Sequence, residues 1–221
     1  QRYRPPLPRF ERVLIVDDEP DIRTIVEFAL EDEEGLTIQL CASGAEALAV
    51  VESYQPDIIL LDVTLKTVSG LEVIKNIHAL VPDLPVLFIS MHDESVYAER
   101  ALRAGALGYV MKHEPGEVLL EAIREVLKGN VYLSKQMHKK LLKRMVMKSS
   151  EPEHLINTLT SSELEVLHLI GQGHNSHEIS QMLCRSIKTI DTHRFNIRSK
   201  LNLKDGADLI RYATRWISQQ Q

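Results

Sequence analysis

Val13-Leu14-Ile15-Val16-Asp17-Asp18-Glu19-Pro20 is the stretch on which the fold turns. An unbroken run of mostly β-branched apolar residues suits a strand covered on both faces, and two carboxylates stand where that strand must end. Similar runs follow at residues 37–41, 58–61, 86–89 and 108–111. Stretches with helical spacing occupy 22–30, 45–52, 71–80, 96–104 and 117–127. This alternation predicts an α/β domain, a doubly wound five-stranded parallel sheet of flavodoxin-like order 2-1-3-4-5.

In such a sheet, sites form beyond the carboxyl ends of the strands. Asp17 and Asp18 end the first strand and Asp62 ends the third, and the expected order makes these strands neighbours. Three carboxylates in one cleft repel one another unless a cation joins them. A hard, oxygen-ligated divalent ion such as Mg2+ suits that donor set. Ser90 ends strand four and Lys112 follows strand five, so a hydroxyl donor and an ammonium border the same cleft. Together these groups can hold a phosphoryl group, with a carboxylate oxygen as the nucleophile.

Five fragments in order resemble the receiver domain of two-component response regulators, over about residues 10–130. After the opening stretch come Asp57-Ile58-Ile59-Leu60-Leu61-Asp62, Gly70 eight residues on, Pro85-Val86-Leu87-Phe88-Ile89-Ser90, and Gly105-Ala106-Leu107-Gly108-Tyr109-Val110-Met111-Lys112. The resemblance implies that Asp62 accepts a phosphoryl group from a sensor histidine kinase. It makes Asp18 a direct metal ligand, Asp17 a ligand through water, and Thr64 a ligand through its backbone carbonyl. Ser90 and Tyr109 resemble the family's switch pair: the phosphoryl group draws the Ser90 hydroxyl inward and the Tyr109 ring rotates into the space. The plainer reading of Tyr109 is a half-buried aromatic. One departure is Lys66, where many receivers carry Pro. It frees a φ angle and adds a cation without removing a ligand.

The chain has 221 residues and a formal charge of −5. Residues 1–133 carry 12 Lys and Arg against 23 Asp and Glu, and the remainder carries 14 against 8. An acidic half joined to a basic half points to different partners, nucleic acid being the natural one for the basic half. No run approaches the roughly 18 to 20 apolar residues of a membrane span, so a cytoplasmic protein with no membrane partner is expected. Cys41 and Cys184 read as small buried hydrophobes in a reducing cytosol.

Residues 1–10, rich in Arg and Pro, read as a flexible leader, and 11–131 as the α/β domain. A linker is expected over 132–154, with Leu141, Leu142 and Met145 spaced for a short amphipathic helix and Ser149-Ser150-Glu151-Pro152 as the linker proper.

Residues 155–221 read as a smaller all-α domain. Thr160-Ser161-Ser162-Glu163 is a capping box, and Gly171 and Gly173 end the helix it starts. Asn175 with Glu178 starts a second helix, Ser186 a third over 187–201, and a fourth covers about 207–216. A short helix, a tight turn and a longer helix make a helix-turn-helix. Leu159-Thr160, Glu163, Glu165-Val166-Leu167, Gly173, Glu178-Ile179, Leu183, Ser186-Ile187-Lys188-Thr189-Ile190, His193, Asn196-Ile197 and Lys200-Leu201 resemble the NarL/FixJ (LuxR-type) regulators over about residues 155–216.

On the third helix Ile190, His193, Ile197 and Leu201 share one face, which packs inward. Lys188, Asp191, Thr192, Phe195, Arg198, Ser199 and Asn202 share the other, a mixture that suits a major groove. Lys188, Arg198 and Lys200 are read as phosphate contacts. Thr192, Asp191 and Phe195 are the candidates for base edges, with solvent the equal alternative for Asp191. Leu209, Ile210 and Ala213 give the last helix an apolar stripe, and Trp216 anchors either the core or a dimer contact. His174, His177 and Cys184 are explained without a metal.

The function implied is a response regulator transcription factor, not an enzyme, that acts on double-stranded DNA as a homodimer when phosphorylated. Charge asymmetry suggests that the acidic domain masks the recognition helix until phosphorylation repacks the masking surface. A protein-binding module and a metal-dependent phosphoesterase are the alternatives. The outward cations count against the first, and the lack of a separate substrate pocket in the sequence counts against the second.

Overall fold

The computed structural model describes residues 12–21, 24, 26, 30, 36–65, 68–147, 155–156 and 158–218. The proposed leader, the Ser-Ser-Glu-Pro linker and Lys66 lie outside the described residues. The chain divides into two compact units, Gln1–Leu142 and Lys143–Gln221.

The first unit holds strands β1 (Arg12–Val16), β2 (Thr37–Cys41), β3 (Ile58–Asp62), β4 (Val86–Ser90) and β5 (Gly108–Met111). They pair in parallel in the order β2-β1-β3-β4-β5. Helices α1 (Gly44–Tyr54), α2 (Gly70–Leu80) and α3 (Glu94–Arg103) connect strands β2 to β5, and α4 (Gly116–Leu127) follows β5. Between β1 and β2 the described positions Pro20, Asp21, Thr24, Val26 and Leu30 are helical too. Val13, Ile15, Ile58, Leu60, Leu87 and Ile89 point to one face, where Leu119, Ile123 and Val126 of α4 cover them. Their alternate neighbours Leu14, Val16, Ile59, Leu61 and Phe88 are equally buried, so the central sheet is covered on both sides. β2 departs from that expectation. Edge position leaves Thr37 and Leu40 exposed, and of its five residues Cys41 alone is buried.

Two local devices keep the carboxyl edge in shape. Ser43 caps α1 and accepts from the Glu46 amide at 3.2 Å, and Asp93 caps α3, accepting from Ser95 at 2.7 Å.

The segment read as a linker with a short helix contains α5 (Lys135–Met147), 13 residues long. Leu133 and Met137 are 5% and 2% exposed, so its first turns are seated on the first unit rather than free. Leu142, expected on an apolar stripe, is 62% exposed.

The second unit holds α6 (Ser161–Gly171), α7 (Ser176–Met182), α8 (Ile187–Lys200) and α9 (Gly206–Ser218). Both expected capping boxes form: Glu163 accepts from the Thr160 amide at 2.8 Å and Glu178 from Asn175 at 2.9 Å. Gly173 takes φ +98°, a conformation that lets the chain leave α6. The turn between α7 and α8 passes through Cys184 at φ +48°. That residue is exposed, unlike buried Cys41, which corrects the expectation that both cysteines are core residues. A tight turn puts its apex at the surface whatever the residue's hydrophobicity.

Candidate functional site

The carboxyl edge of β1, β3, β4 and β5 brings the predicted residues together. Parallel register pairs Val16 with Leu61, so Asp17 and Asp62 leave adjacent strands at the same height. Asp17, Asp18 and Asp62 each offer an oxygen, and these lie within 4.8 Å of one another. Asp17 is fully buried, Asp62 nearly so, and Asp18 half-buried.

Lys112 reaches into this cluster from the end of β5. Its ammonium lies 2.7 Å from Asp17 Oδ2, 2.9 Å from Asp62 Oδ2 and 3.4 Å from Glu19 Oε2. Its own backbone amide donates to the Ser90 carbonyl at 2.8 Å, which ties the lysine to β4. Burial pushes the Asp62 carboxyl up to about 6, against the pull of Lys112. Asp17 is raised for the same reason. Burial alone would lower the Lys112 ammonium, but Asp62 and Asp17 overcome it and hold the lysine charged. The pocket therefore stores negative charge that a single lysine only partly neutralises, and it favours a further cation. Three close carboxylate oxygens match the hard donor set of a divalent ion.

Ser90 and Tyr109 meet here as well. Ser90 is fully buried, and its Oγ accepts from the His92 amide at 3.2 Å. Tyr109 is 1% exposed rather than half-buried, its hydroxyl donating to the His92 carbonyl at 2.8 Å. Burial pushes the phenol far above its ordinary range, so it stays a neutral donor. The ring already lies inside.

His92 is the residue that sequence reasoning missed. Besides holding Ser90 and Tyr109, it bonds Thr64 Oγ1 through Nε2 at 2.7 Å and packs its ring on Tyr97 with centroids 5.0 Å apart. It thus joins the loops after β3 and β4. Its position two residues past a strand end was the available signal, the same rule that found Ser90.

In the second unit α8 divides as expected. Ile190, Ile197 and Leu201 are buried and His193 half-buried. Lys188, Asp191, Thr192, Phe195, Ser199 and Asn202 are exposed, and Arg198 is half-exposed. Phe195, 61% exposed, carries the Arg198 guanidinium 5.9 Å from its ring centroid. The Thr192 hydroxyl donates to the Lys188 carbonyl at 2.9 Å. Lys200 is placed differently from the other cations: its ammonium sits 2.6 Å from the buried Glu163 carboxylate, pinning α8 to the cap of α6. Trp216 packs edge-on against His168 at 6.2 Å, within its own unit.

Comparison with known proteins agrees with these features. The response regulator receiver domain model matches residues 13–124, and the model of bacterial regulatory proteins of the luxR family matches residues 157–213. The oxygen regulatory protein NreC of Staphylococcus carnosus (strain TM300) is 32% identical over 210 residues, covering 92% of this chain and 97% of that protein. A LuxR-family two-component response regulator from Aurantimonas sp. SI85-9A1 superposes with TM-score 0.58 at 29% identity, covering 62% of this chain and 99% of that one. RcsB from Salmonella enterica serovar Typhimurium, bound to promoter rprA in the presence of phosphomimetic BeF3-, shares the fold with TM-score 0.58 at 22% identity, covering 93% of this chain and 99% of that one. Matched by a receiver model over half its length, by a luxR-family model over its second unit and by relatives nearly end to end, the chain belongs to the two-component response regulators that control transcription through a luxR-type DNA-binding domain.

Proposed function

We propose that Asp62 is the phosphoacceptor through which a sensor histidine kinase controls DNA binding by α8, in a cytoplasmic protein that dimerises when phosphorylated. The observation that carries this reading is the Lys112 ammonium held between Asp17 and Asp62 at the joint end of β1 and β3. An Asp62 oxygen attacks the phosphorus of a phosphohistidine. The new P–O bond forms as the P–N bond breaks, and the electron pair returns to the imidazole. Lys112 neutralises the phosphoryl oxygens and the Ser90 hydroxyl donates to one of them.

Asp17, Asp18, Asp62 and the Thr64 carbonyl would hold Mg2+, which supplies charge neutralisation for the transferring group when bound. His92 ties Ser90 and Tyr109 into one unit, so a phosphoryl group that recruits the Ser90 hydroxyl favours the inward Tyr109 described above. Without it, the ring is free to leave. On α8, Lys188 and Arg198 contact phosphates, while Asp191, Thr192, Phe195 and Ser199 face base edges. Lys200, engaged by Glu163, orients the helix and meets the backbone with its remaining donors.

The test is incubation with Mg2+ and acetyl phosphate, resolving phosphorylated species beside Asp62→Asn. Labelling is expected in the natural chain alone, and equal labelling of both refutes the assignment.

A further inference from the structure

The positive charge of the C-terminal part of the chain does not reside in residues 151–221, which carry the helix-turn-helix. Residues 151–221 hold eight Lys and Arg against eight Asp and Glu. The whole surplus lies in 134–150: Lys135, Lys139, Lys140, Lys143, Arg144 and Lys148, with no acidic residue from 126 to 150. Most of this stretch is α5. Lys135, Lys139 and Lys143 follow at four-residue intervals, so they share one face of the helix, and all three are exposed. Buried Met137 and Leu133 fix which side faces inward. Like charges at this spacing repel, and a merely solvated helix face ordinarily interleaves Glu to relieve that. Here nothing on α5 relieves it, which fits a polyanionic partner.

We propose that α5 is a second DNA-binding element, whose lysine row contacts the phosphate backbone of the same duplex that α8 reads. Seven residues, 148–154, join the end of α5 to the next described residue, a tether of about 28 Å at full extension. A duplex presents phosphates on both sides of any base contact within that reach. α8 then supplies base readout from a charge-balanced stretch, residues 151–221, and α5 supplies the sequence-independent electrostatic attraction. The proposal rests on the DNA-binding assignment of the second unit.

The experiment is a salt titration of the full-length protein binding a fluorescent duplex of arbitrary sequence. The variants are Lys135→Gln/Lys139→Gln/Lys143→Gln, its all-Arg counterpart, and Lys188→Gln. Each neutralised phosphate contributes about 0.9 to the slope of log affinity against log salt. The triple Gln variant is expected to lose roughly 2.7 from that slope and at least tenfold in affinity at low salt, while the all-Arg variant keeps both. Lys188→Gln is expected to lose about 0.9. Circular dichroism should show equal helix content throughout. An unchanged slope in the triple Gln variant beside normal binding of the natural chain overturns the role of α5 and leaves α8 untouched. Failure of the natural chain to bind any duplex overturns both readings. So does a triple Gln defect confined to phosphatidylserine-containing vesicles for α5, since it would reassign the lysines to a membrane.

Discussion

Lys112 is the residue on which the receiver's charge balance depends. Its side chain is 2% exposed and faces the Asp17 and Asp62 carboxylates, so its removal leaves the two buried against each other. Breaking a buried charge arrangement by deleting one partner costs about 3–5 kcal/mol. Lys112→Met should therefore lower receiver stability in urea by about 3 kcal/mol in EDTA, and added Mg2+ should recover part of the loss. An equal loss with and without Mg2+ would show that the ion does not enter this cluster. Acid stability of the second unit rests on two other residues. Burial lowers His193 below its ordinary 6.5. Burial would raise Glu163, but Lys200 and the Thr160 amide outweigh it and hold the carboxyl below 4.5. Both folded values lie below the unfolded ones, so each contribution is complete above the unfolded value and is lost as pH falls through the folded one. The thermal midpoint of this unit should stay level near pH 7, decline below 6.5 as His193 charges, and decline again below 4.5. His193→Gln should remove the first decline and Glu163→Gln the second, read by thermal unfolding across pH 3–8.

Helices and strands place these residues through a few close approaches. A Cβ on Gly70, the first residue of α2, would lie 2.0 Å from the Asp62 carbonyl oxygen, a distance no structure tolerates. Gly70 also donates its amide to Val63 at 2.8 Å, so α2 starts hard against the loop that carries Asp62 and Thr64. Gly70→Ala must shift that loop. It should cost about 1–3 kcal/mol and slow phosphorylation from acetyl phosphate well beyond what the stability loss explains. Normal phosphorylation by the folded variant would show that the loop position is not limiting. The helix-turn-helix has its own weak point in the Asn175 cap, which accepts from both His177 and Glu178. Asn175→Ala should destabilise the second unit by about 1 kcal/mol, measured by denaturant unfolding, with the receiver transition unmoved.

Across the whole molecule, two compact units with separate cores should unfold separately. Calorimetry of the full chain should show that Mg2+ raises one transition alone, by about 2.7 kcal/mol at a hundredfold excess over its dissociation constant. Charge is distributed in a way that bulk counting obscured. The basic half consists of a charge-balanced stretch, residues 151–221, preceded by a basic helix, which removes the simple electrostatic case for an acidic receiver masking a basic domain.

The strands, their order and the identity of the acidic cluster were legible in the chain because unbroken apolar runs and strand-end placement are local patterns that one-dimensional order preserves. Capping boxes at Thr160 and Asn175 were legible for the same reason, since both partners lie within four residues. Three things were not. His92 became a hub because its carbonyl, amide and imidazole meet Tyr109 of β5, Ser90 at the end of β4 and Thr64 after β3. Lys200, a candidate phosphate contact, gained a partner in Glu163, 37 residues away, because packing of α8 on α6 closed that distance. The exposure of β2 and Cys184 followed from an edge and a turn apex, positions that composition does not encode. Local sequence carries periodicity and caps; long-range partners and surface position arise only when separate elements pack, because burial and pairing are properties of neighbours in space rather than along the chain.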